Sequence, residues 1–311
     1  MRIVIAGGTG FLGSPLAEGY AEEGHDVRVL TRALPDGESR HDSGTGVPGV
    51  TRVGWRPDGQ TRAWASVLDG ADAVVNLAGT GIGERRWTAQ RKALIHDSRI
   101  IPTRSLAAAI ASAAVPPPVF ISASGVNYYG AANGELKTER SAAGDDFLAR
   151  LCQGWEAEAA NAGSPAIRVV VIRSGVVLER TGGALTQMML PFRFFAGGPM
   201  GSGRQYLSWI HRIDWIEMVR WIIDTPAIAG PVNVTAPVPV TQRQFARALG
   251  RAMRRPALVP APSFALKVIL GEMAGPLVLG GQRAIPQCAL SHGFHFRYPE
   301  IDLAFRGIFG E

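Results

Sequence analysis

The chain begins MRIVIAGGTGFLG, and the spacing of its glycines is the tightest constraint on what it can become. An apolar run, residues 2–6 (RIVIA), leads directly into Gly7, Gly10 and Gly13 in the pattern G-x-x-G-x-x-G. A buried strand that turns at once into a helix needs glycine at these places. Gly7 permits the tight turn, Gly10 lets the main chain approach a bound group, and Gly13 lets helix and strand pack closely. The start of the helix then offers free N–H groups and the positive end of its dipole to an anion. The turn therefore predicts a diphosphate site of the dinucleotide type, with Thr9, Phe11 and Leu12 lining it beside the three glycines. A signal peptide also opens with a cation and an apolar stretch, but not with this glycine spacing.

A second strand is expected at 27–31 (VRVLT), ending at Thr31 and Arg32. A site for the unphosphorylated dinucleotide would place Asp or Glu here, to bind a ribose 2′-hydroxyl. A carboxylate repels a 2′-phosphate, whereas a guanidinium grips one with two parallel hydrogen bonds. Thr31 and Arg32 thus favour NADP(H) over NAD(H). A third segment, VVNLAG (74–79), puts Leu77, Ala78 and Gly79 at another strand tip, small enough for the cofactor to pass. Taken alone, that segment also reads as a plain strand-ending turn.

The pattern continues as alternation. Strands are expected at 73–77, 118–122 and 168–173, with helices over 11–23, near 61–69, near 87–113 and near 144–162. Such alternation predicts an α/β fold, a doubly wound parallel sheet with helices on both faces. After about residue 180 the period changes. Asp214 is expected to cap a helix WIEMVRWIIDT, a strand-like PVNVT follows at 231–235, and Thr241 caps a further helix. We expect residues 1–180 to form the nucleotide-binding domain, with later segments rejoining it. Residues 181–311 are expected to form a smaller C-terminal α/β lobe on the substrate side.

Hydrophobic residues make up 46% of 311 and charged residues 19%, enough for a sizeable core. The formal charge of +6 is interspersed with acids, and RAMRR (251–255) reads as a helix end, so nucleic acid is not the expected partner. The apolar stretch 263–281 is broken by Lys267, Glu272 and Pro276, so no membrane span is expected. Cys152 and Cys288 form no metal-type spacing and suit a reducing cytoplasm. His292 and His295 lack carboxylate or thiolate companions and read as structural. Oligomeric state is open.

Together these motifs resemble the extended short-chain dehydrogenase/reductases, a Rossmann-type family of nucleotide-sugar epimerases. The likeness is closest to a divergent epimerase-like branch with a small C-terminal domain of unknown function. It rests on GGTGFLG, NLAG, RRWT (85–88) with SR (98–99), SASGVNYYG (122–130), VVIRSGVVL (170–178), GSGRQYLSWIH (201–211) and GQRAIPQ (281–287). The resemblance implies NADP(H) binding and adds Leu77, Ala78 and Arg99 to the cofactor contacts, Arg99 being a natural partner for phosphate charge.

In typical relatives a Tyr-x-x-x-Lys pair on a helix works with an upstream Ser or Thr. Four-residue spacing sets both side chains on one helix face. Here that helix is 144–162, and the positions fall near Phe147 or Leu148 and near Leu151 or Cys152. No register restores the pair. Tyr128 and Tyr129 precede the helix, and four residues on stand Ala132 and Asn133. The expected catalytic group is then Tyr129 with Ser124 and Ser122, although Tyr129 reads equally as a packed aromatic. A phenol donates readily only when its pKa of about 10 is lowered by a nearby charge. The alternative is a catalytically silent NADP(H)-binding sensor or interaction protein. A non-redox lyase or isomerase is a third reading.

Tyr128, Trp209 and His211 are expected on the substrate side, with Arg204 and Gln205 able to read an anion. His211 lies three residues before Asp214, a spacing that suits either proton transfer or helix capping. Trp209, Trp215 and Trp221 share a helix-like spacing that points to core. Arg85, Arg86 and Trp87 read as a ring- or phosphate-binding cluster or as a solvated helix start.

Overall fold

The structure, a computed structural model, describes residues 1–41, 49–131 and 134–310; Ala132 and Asn133 lie outside them. The first half runs β1 (Arg2–Ala6), α1 (Gly13–Glu22), β2 (Asp26–Thr31), β3 (Ser39–His41), β4 (Val50–Gly54), a 3-10 turn (Ala63–Leu68) and β5 (Ala73–Asn76). Then come α2 (Ala89–Ala111), β6 (Val119–Gly125), a 3-10 turn (Val126–Tyr129), β7 (Leu136–Lys137), α3 (Phe147–Ala160), β8 (Arg168–Ser174) and β9 (Val176–Leu178). The second half runs α4 (Gly183–Arg193), β10 (Tyr206–Leu207), β11 (Trp209–His211), α5 (Arg212–Asp224), β12 (Gly230–Val234), β13 (Val240–Thr241) and α6 (Gln242–Met253). It closes with α7 (Ser263–Leu270), β14 (Arg283–Ala284), α8 (Gln287–Ser291) and α9 (Ile301–Phe309).

The main sheet has the order β12-β8-β6-β5-β1-β2-β4-β3. Every pair in it is parallel except β3 with β4. From β1 the chain moves one way to β2 and later returns to the other side as β5. That reversal opens a crevice at the carboxyl ends of β1 and β5, the place where open α/β sheets bind ligands.

Apolar residues bury the sheet on both faces, as a parallel sheet requires. The period of two shows in β1: Ile3 and Ile5 join Leu16, Tyr20, Trp215, Met218 and Ile222 on one face. Val4 and Ala6 join Trp64, Leu106, Ile110 and Phe120 on the other. Each fully buried side chain of this kind stabilises by about 1.5–3 kcal/mol. The guanidinium of Arg168, at the start of β8, donates to the carbonyls of Ile222, Ile223 and Ile228, satisfying the end of α5. A separate core holds the C-terminal lobe, where Leu185, Met189 and Phe192 of α4 meet Phe245 and Leu249 of α6 and Phe305 of α9.

The expected strands and helices of the first 180 residues are present, with bounds shifted by a few residues and the 61–69 segment formed as a 3-10 turn. β12 rejoins the main sheet beside β8, so the chain crosses back after entering the lobe. The start of α5 differs from expectation. It begins at Arg212, and His211 is the cap, its Nδ1 accepting the Ile213 N–H at 3.1 Å. Asp214 already lies inside the first turn, where its carboxylate accepts the N–H groups of Arg297 and Tyr298 at 2.8 and 2.9 Å. No helix among the described residues is long and apolar enough to cross a membrane.

Candidate functional site

At the first crevice the main chain does the work. Gly7 has φ +79°, and a Cβ there would stand 2.7 Å from the Leu77 carbonyl carbon and oxygen and 3.0 Å from the Ala78 nitrogen. A Cβ on Gly13 would stand 2.3 Å from the Gly7 oxygen and 2.7 Å from the Gly8 Cα. Glycine is thus required at both positions by contact, and at Gly7 also by the left-handed backbone. The Gly10 N–H closes the turn on the Gly7 carbonyl at 3.0 Å. No side chain caps α1, and the N–H groups of Phe11, Leu12 and Gly13 have no acceptor among the described residues. Three unclaimed donors at a helix start make an anion site. Thr9 and Gly10 are exposed at its rim, and the Phe11 ring packs on Gly182 and Gly183, across from the turn.

On one side of this turn β2 ends at Thr31, whose Oγ1 accepts the Ala33 N–H at 3.2 Å. Arg32 beside it is exposed and makes no hydrogen bond or ion pair among the described residues. On the other side Asn76, fully buried, ties the tip of β5 down. Its amide donates to Thr103 Oγ1 at 2.8 Å and Ser122 Oγ at 3.3 Å, and its carbonyl accepts the Ala78 N–H at 3.2 Å. Leu77, Ala78 and Gly79 therefore form a fixed wall. Gly79 faces Arg99 of α2, whose Cζ would be 3.3 Å from a Cβ there.

The ends of β6, β8 and β12 carry a second, quite different arrangement. Arg173 and Glu156 form a bidentate ion pair with contacts of 2.9 and 2.7 Å, their side chains only 4% and 13% exposed. Ser124 donates to the same carboxylate at 2.7 Å. Arg173 also donates to the Tyr129 hydroxyl at 3.1 Å, and that hydroxyl donates to Asn233 Oδ1 at 2.7 Å. Asn233 gives its amide N–H to the Ile285 carbonyl and its main-chain N–H to Glu139. Burial works against the Arg173 charge, but Glu156 outweighs it and holds the pKa above arginine's ordinary value. Burial pushes the Tyr129 phenol up to about 12, against the pull of Arg173.

The two tyrosines thus part company. Tyr129 is buried with its hydroxyl committed at both ends. Tyr128 is half-buried, its ring face lies 3.4 Å from the Arg173 Cζ, and its hydroxyl makes no hydrogen bond among the described residues. Ser122 is fully buried and engaged by Asn76, whereas Ser124 is bound to Glu156. On α3, Leu148 and Cys152 stand four residues apart and both are buried. The Cys152 Sγ lies 3.8 Å from the Gly125 carbonyl, and burial pushes its thiol up to about 11.

Two residues expected on the substrate side lie elsewhere. Trp209 is fully buried in the lobe core and donates its indole N–H to the Val238 carbonyl at 3.1 Å, because β11 runs between sheet and lobe. His211 caps α5 and stacks on the Tyr298 ring at 3.9 Å, and burial holds its pKa down to about 4. Gln205 spans the Met200 and Val278 carbonyls, and Arg204 is exposed. Arg86 donates to the Val268 carbonyl and Trp87 is buried with its indole on the Ile82 carbonyl, so this cluster joins α2 to the lobe. Glu156, Arg173, Asn233 and Glu139 were not singled out by the sequence. The signal available was Arg173 itself, a charge inside the apolar run RVVVIR.

Comparison with known proteins adds independent findings. Residues 3–234 match the model of the NAD dependent epimerase/dehydratase family, and residues 261–308 match a domain of unknown function (DUF1731). The epimerase family protein ML0860 of Mycobacterium leprae is 39% identical over 300 residues, covering 96% of this chain and 92% of that protein. The bovine epimerase family protein SDR39U1 is 38% identical over 312 residues, covering 99% of each. The crystal structure of human SDR39U1 (isoform 2) with NADPH has a TM-score of 0.88 at 35% identity, covering 100% of both chains.

Proposed function

Since the chain belongs to the NAD dependent epimerase/dehydratase family, we propose that it binds NADPH and acts as an oxidoreductase on a small carbonyl or hydroxyl compound. The observation that carries this reading is the main-chain cradle: glycines that tolerate no Cβ, closed by Leu77 and Ala78, beneath three N–H groups without an acceptor among the described residues. The residues fit the cofactor. The N–H groups of Phe11, Leu12 and Gly13 would hold the diphosphate, while Gly7, Gly10 and Gly13 let it approach. Arg32, without a partner among the described residues at the end of β2, would grip the 2′-phosphate, with Thr31 beside it. Leu77, Ala78 and Gly79 would support the half that crosses β5. The human relative crystallised with NADPH supports the same choice of cofactor.

When bound, the cofactor supplies a hydride donor. The chain supplies the proton, and the phenol of Tyr128, whose hydroxyl has no partner among the described residues, is the group best placed to give it. Arg173 sits against its ring, and Glu156, which pairs with Arg173, also accepts from Ser124. Tyr129 positions this pair: its hydroxyl links Arg173 to Asn233 and fixes the guanidinium under its neighbour. The ion pair is buried at the strand ends and fixes the guanidinium against the tyrosine rings.

The test is turnover. Purified protein is mixed with NADPH and a panel of aldehydes, ketones and quinones, and the absorbance of the reduced nicotinamide is followed. Sustained decay with one class, lost in Tyr128→Phe, supports the reading. One observation favours a second reading, a silent NADPH binder: Leu148 and Cys152 stand on α3 where typical relatives carry the tyrosine and lysine, and the Tyr129 hydroxyl is already engaged by Arg173 and Asn233. Tight binding without decay across the panel selects that reading instead.

A further inference from the structure

Two helices of the C-terminal lobe, α4 and α6, end close together and in the same way. A Cβ on Gly250 of α6 would stand 3.5 Å from the Phe192 ring of α4. At the end of α4 the Ala196 N–H turns back to the Pro191 carbonyl at 2.9 Å. At the end of α6 the Arg255 N–H turns back to the Gly250 carbonyl at 2.8 Å. Such an ending needs a left-handed residue one place earlier, which is most often glycine because it has no Cβ. Phe195 stands there at φ +57° and Arg254 at φ +53°, the two non-glycine residues of positive φ among the described residues. Both are exposed. A disfavoured backbone kept at two adjoining helix ends points to side chains with a use.

What they display is cationic and apolar at once. An open cleft of about 390 Å³ at the end of α6 has Arg247, Arg251, Arg254, Arg255 and Leu258 in its lining. Arg251 pairs with Asp302 at 2.6 Å, whereas Arg247 and Arg255 have no carboxylate partner among the described residues. The helix dipole favours a cation in a last turn, but it does not gather four guanidinium groups around one cleft. The Arg255 Cζ lies 4.5 Å from the centre of the Phe195 ring and so joins the two helix ends. Hydrogen bonds from the Val259 N–H to Gly197 and from the Ala261 N–H to Pro199 then lay the segment after Leu258 along the segment after Phe195. Phe194 is 72% exposed, Phe195 58% and Leu258 81%, and Leu190, one turn before Phe194 on α4, is exposed too. Large apolar side chains left in water beside cations mark an interaction surface.

We propose that the adjoining ends of α4 and α6 dock on the surface of an anionic phospholipid bilayer. Phe194, Phe195 and Leu258 enter the boundary between headgroups and acyl chains, and Arg247, Arg254 and Arg255 meet the lipid phosphates. The chemistry selects this occupant. A nucleic acid would use the arginines and the rings but gains nothing from a bare leucine. A bilayer interface takes all three, because rings and aliphatic groups lie below the phosphates while a guanidinium on its apolar stem reaches up to them. Each arginine near a negatively charged leaflet adds to the attraction. The contact lies on the surface and needs no spanning helix.

The experiment is co-sedimentation of the full chain with two kinds of vesicle, phosphatidylcholine alone and phosphatidylcholine with an equal part of phosphatidylglycerol. It compares the wild-type chain with the double variant Phe195→Gly, Arg254→Gly and with Arg247→Glu. Glycine suits both left-handed positions, so the double variant should unfold thermally no lower than the wild type while losing the displayed side chains. The wild-type chain should pellet with the mixed vesicles, stay in solution with phosphatidylcholine, and be released by added salt. The double variant should partition at least about tenfold more weakly, and Arg247→Glu should weaken binding as well. No pelleting of the wild type with mixed vesicles overturns the proposal, and so does equal pelleting with both kinds. Equal pelleting of wild type and double variant also overturns it. Two rival occupants are read in parallel. A DNA duplex bound by the wild type in place of vesicles, or a dimer in gel filtration that the double variant abolishes without any vesicle binding, assigns the surface elsewhere and overturns it. If the double variant fails to fold, Arg247→Glu decides alone.

Discussion

Two ends of one sheet do their work by opposite means. At β1 and β2 the site is main chain, with glycines that admit no Cβ and, among the described residues, helix N–H groups without acceptors and an Arg32 without a partner. At β6, β8 and β12 it is side chain, with Ser124, Glu156, Arg173, Tyr129 and Asn233 joined in a buried chain of hydrogen bonds. The first end presents donors that no described residue accepts from. The second is satisfied from within and holds a shape. The difference teaches that affinity and positioning can be separated in this fold, and each can be broken alone.

The largest effect should come from the second end. Glu156→Ala leaves Arg173 buried and unpaired, and removing one partner of such a pair costs about 3–5 kcal/mol. Urea unfolding should show it as a large drop in midpoint. A loss below about 1 kcal/mol would mean that the pair is solvated, as exposed pairs are, and the contrast between the two ends would fail.

Next comes pH, read at the segment that follows β8 and β9. His211 is held neutral by burial, with a folded pKa of about 4 against the ordinary 6.5, and its Nδ1 must stay unprotonated to cap α5. Between those values the unfolded chain binds a proton and the folded chain does not. Stability is therefore complete above pH 6.5 and falls as pH drops toward 4, by about 3 kcal/mol in all. His211→Asn keeps an acceptor at the cap and should flatten this slope in thermal unfolding. A slope unchanged by that substitution would assign the pH dependence to another group.

The first end is tested by Gly7→Ala. A side chain at φ +79° costs about 1–2 kcal/mol, and its Cβ would also collide with Leu77. NADPH affinity should fall at least about tenfold, while the strand ends around Arg173 keep their structure. Retained affinity would show that the turn can relax, and that the main chain is not the binding device.

The smallest effects separate the tyrosines. Tyr129→Phe leaves Asn233 Oδ1 without its donor and should cost about 1–2 kcal/mol. Tyr128→Phe removes a hydroxyl with no partner among the described residues and should change stability by less than about 0.5 kcal/mol. Turnover, if present, should respond the other way, falling further in Tyr128→Phe. Equal stability losses would erase the distinction drawn between them.

The same contrast explains what could be read from the amino-acid sequence. Gly7, Gly10 and Gly13 announce a turn because their spacing is local and the constraint is on the main chain. The strands around them are legible for the same reason, each being a short apolar run. The ion pair is not legible. Glu156 and Arg173 are 17 residues apart and meet only once α3 lies across β6 and β8. Tyr129 finds Asn233 104 residues away. Asp214 looks like a cap, yet its carboxylate is drawn to N–H groups 83 and 84 residues on, and His211 takes the cap. Trp209 is expected on the substrate side although its spacing with Trp215 and Trp221 points to core, and it is buried in the lobe core. Local patterns fix local geometry, and partners brought together by topology are invisible until the sheet is built.

The most direct test is calorimetric titration of the folded chain and its Arg32→Glu variant with NADPH and NADH. The account predicts that NADPH binds more tightly than NADH, and that the substitution weakens NADPH far more than NADH. If neither nucleotide binds well-folded protein, the cradle is not a dinucleotide site and the account is contradicted.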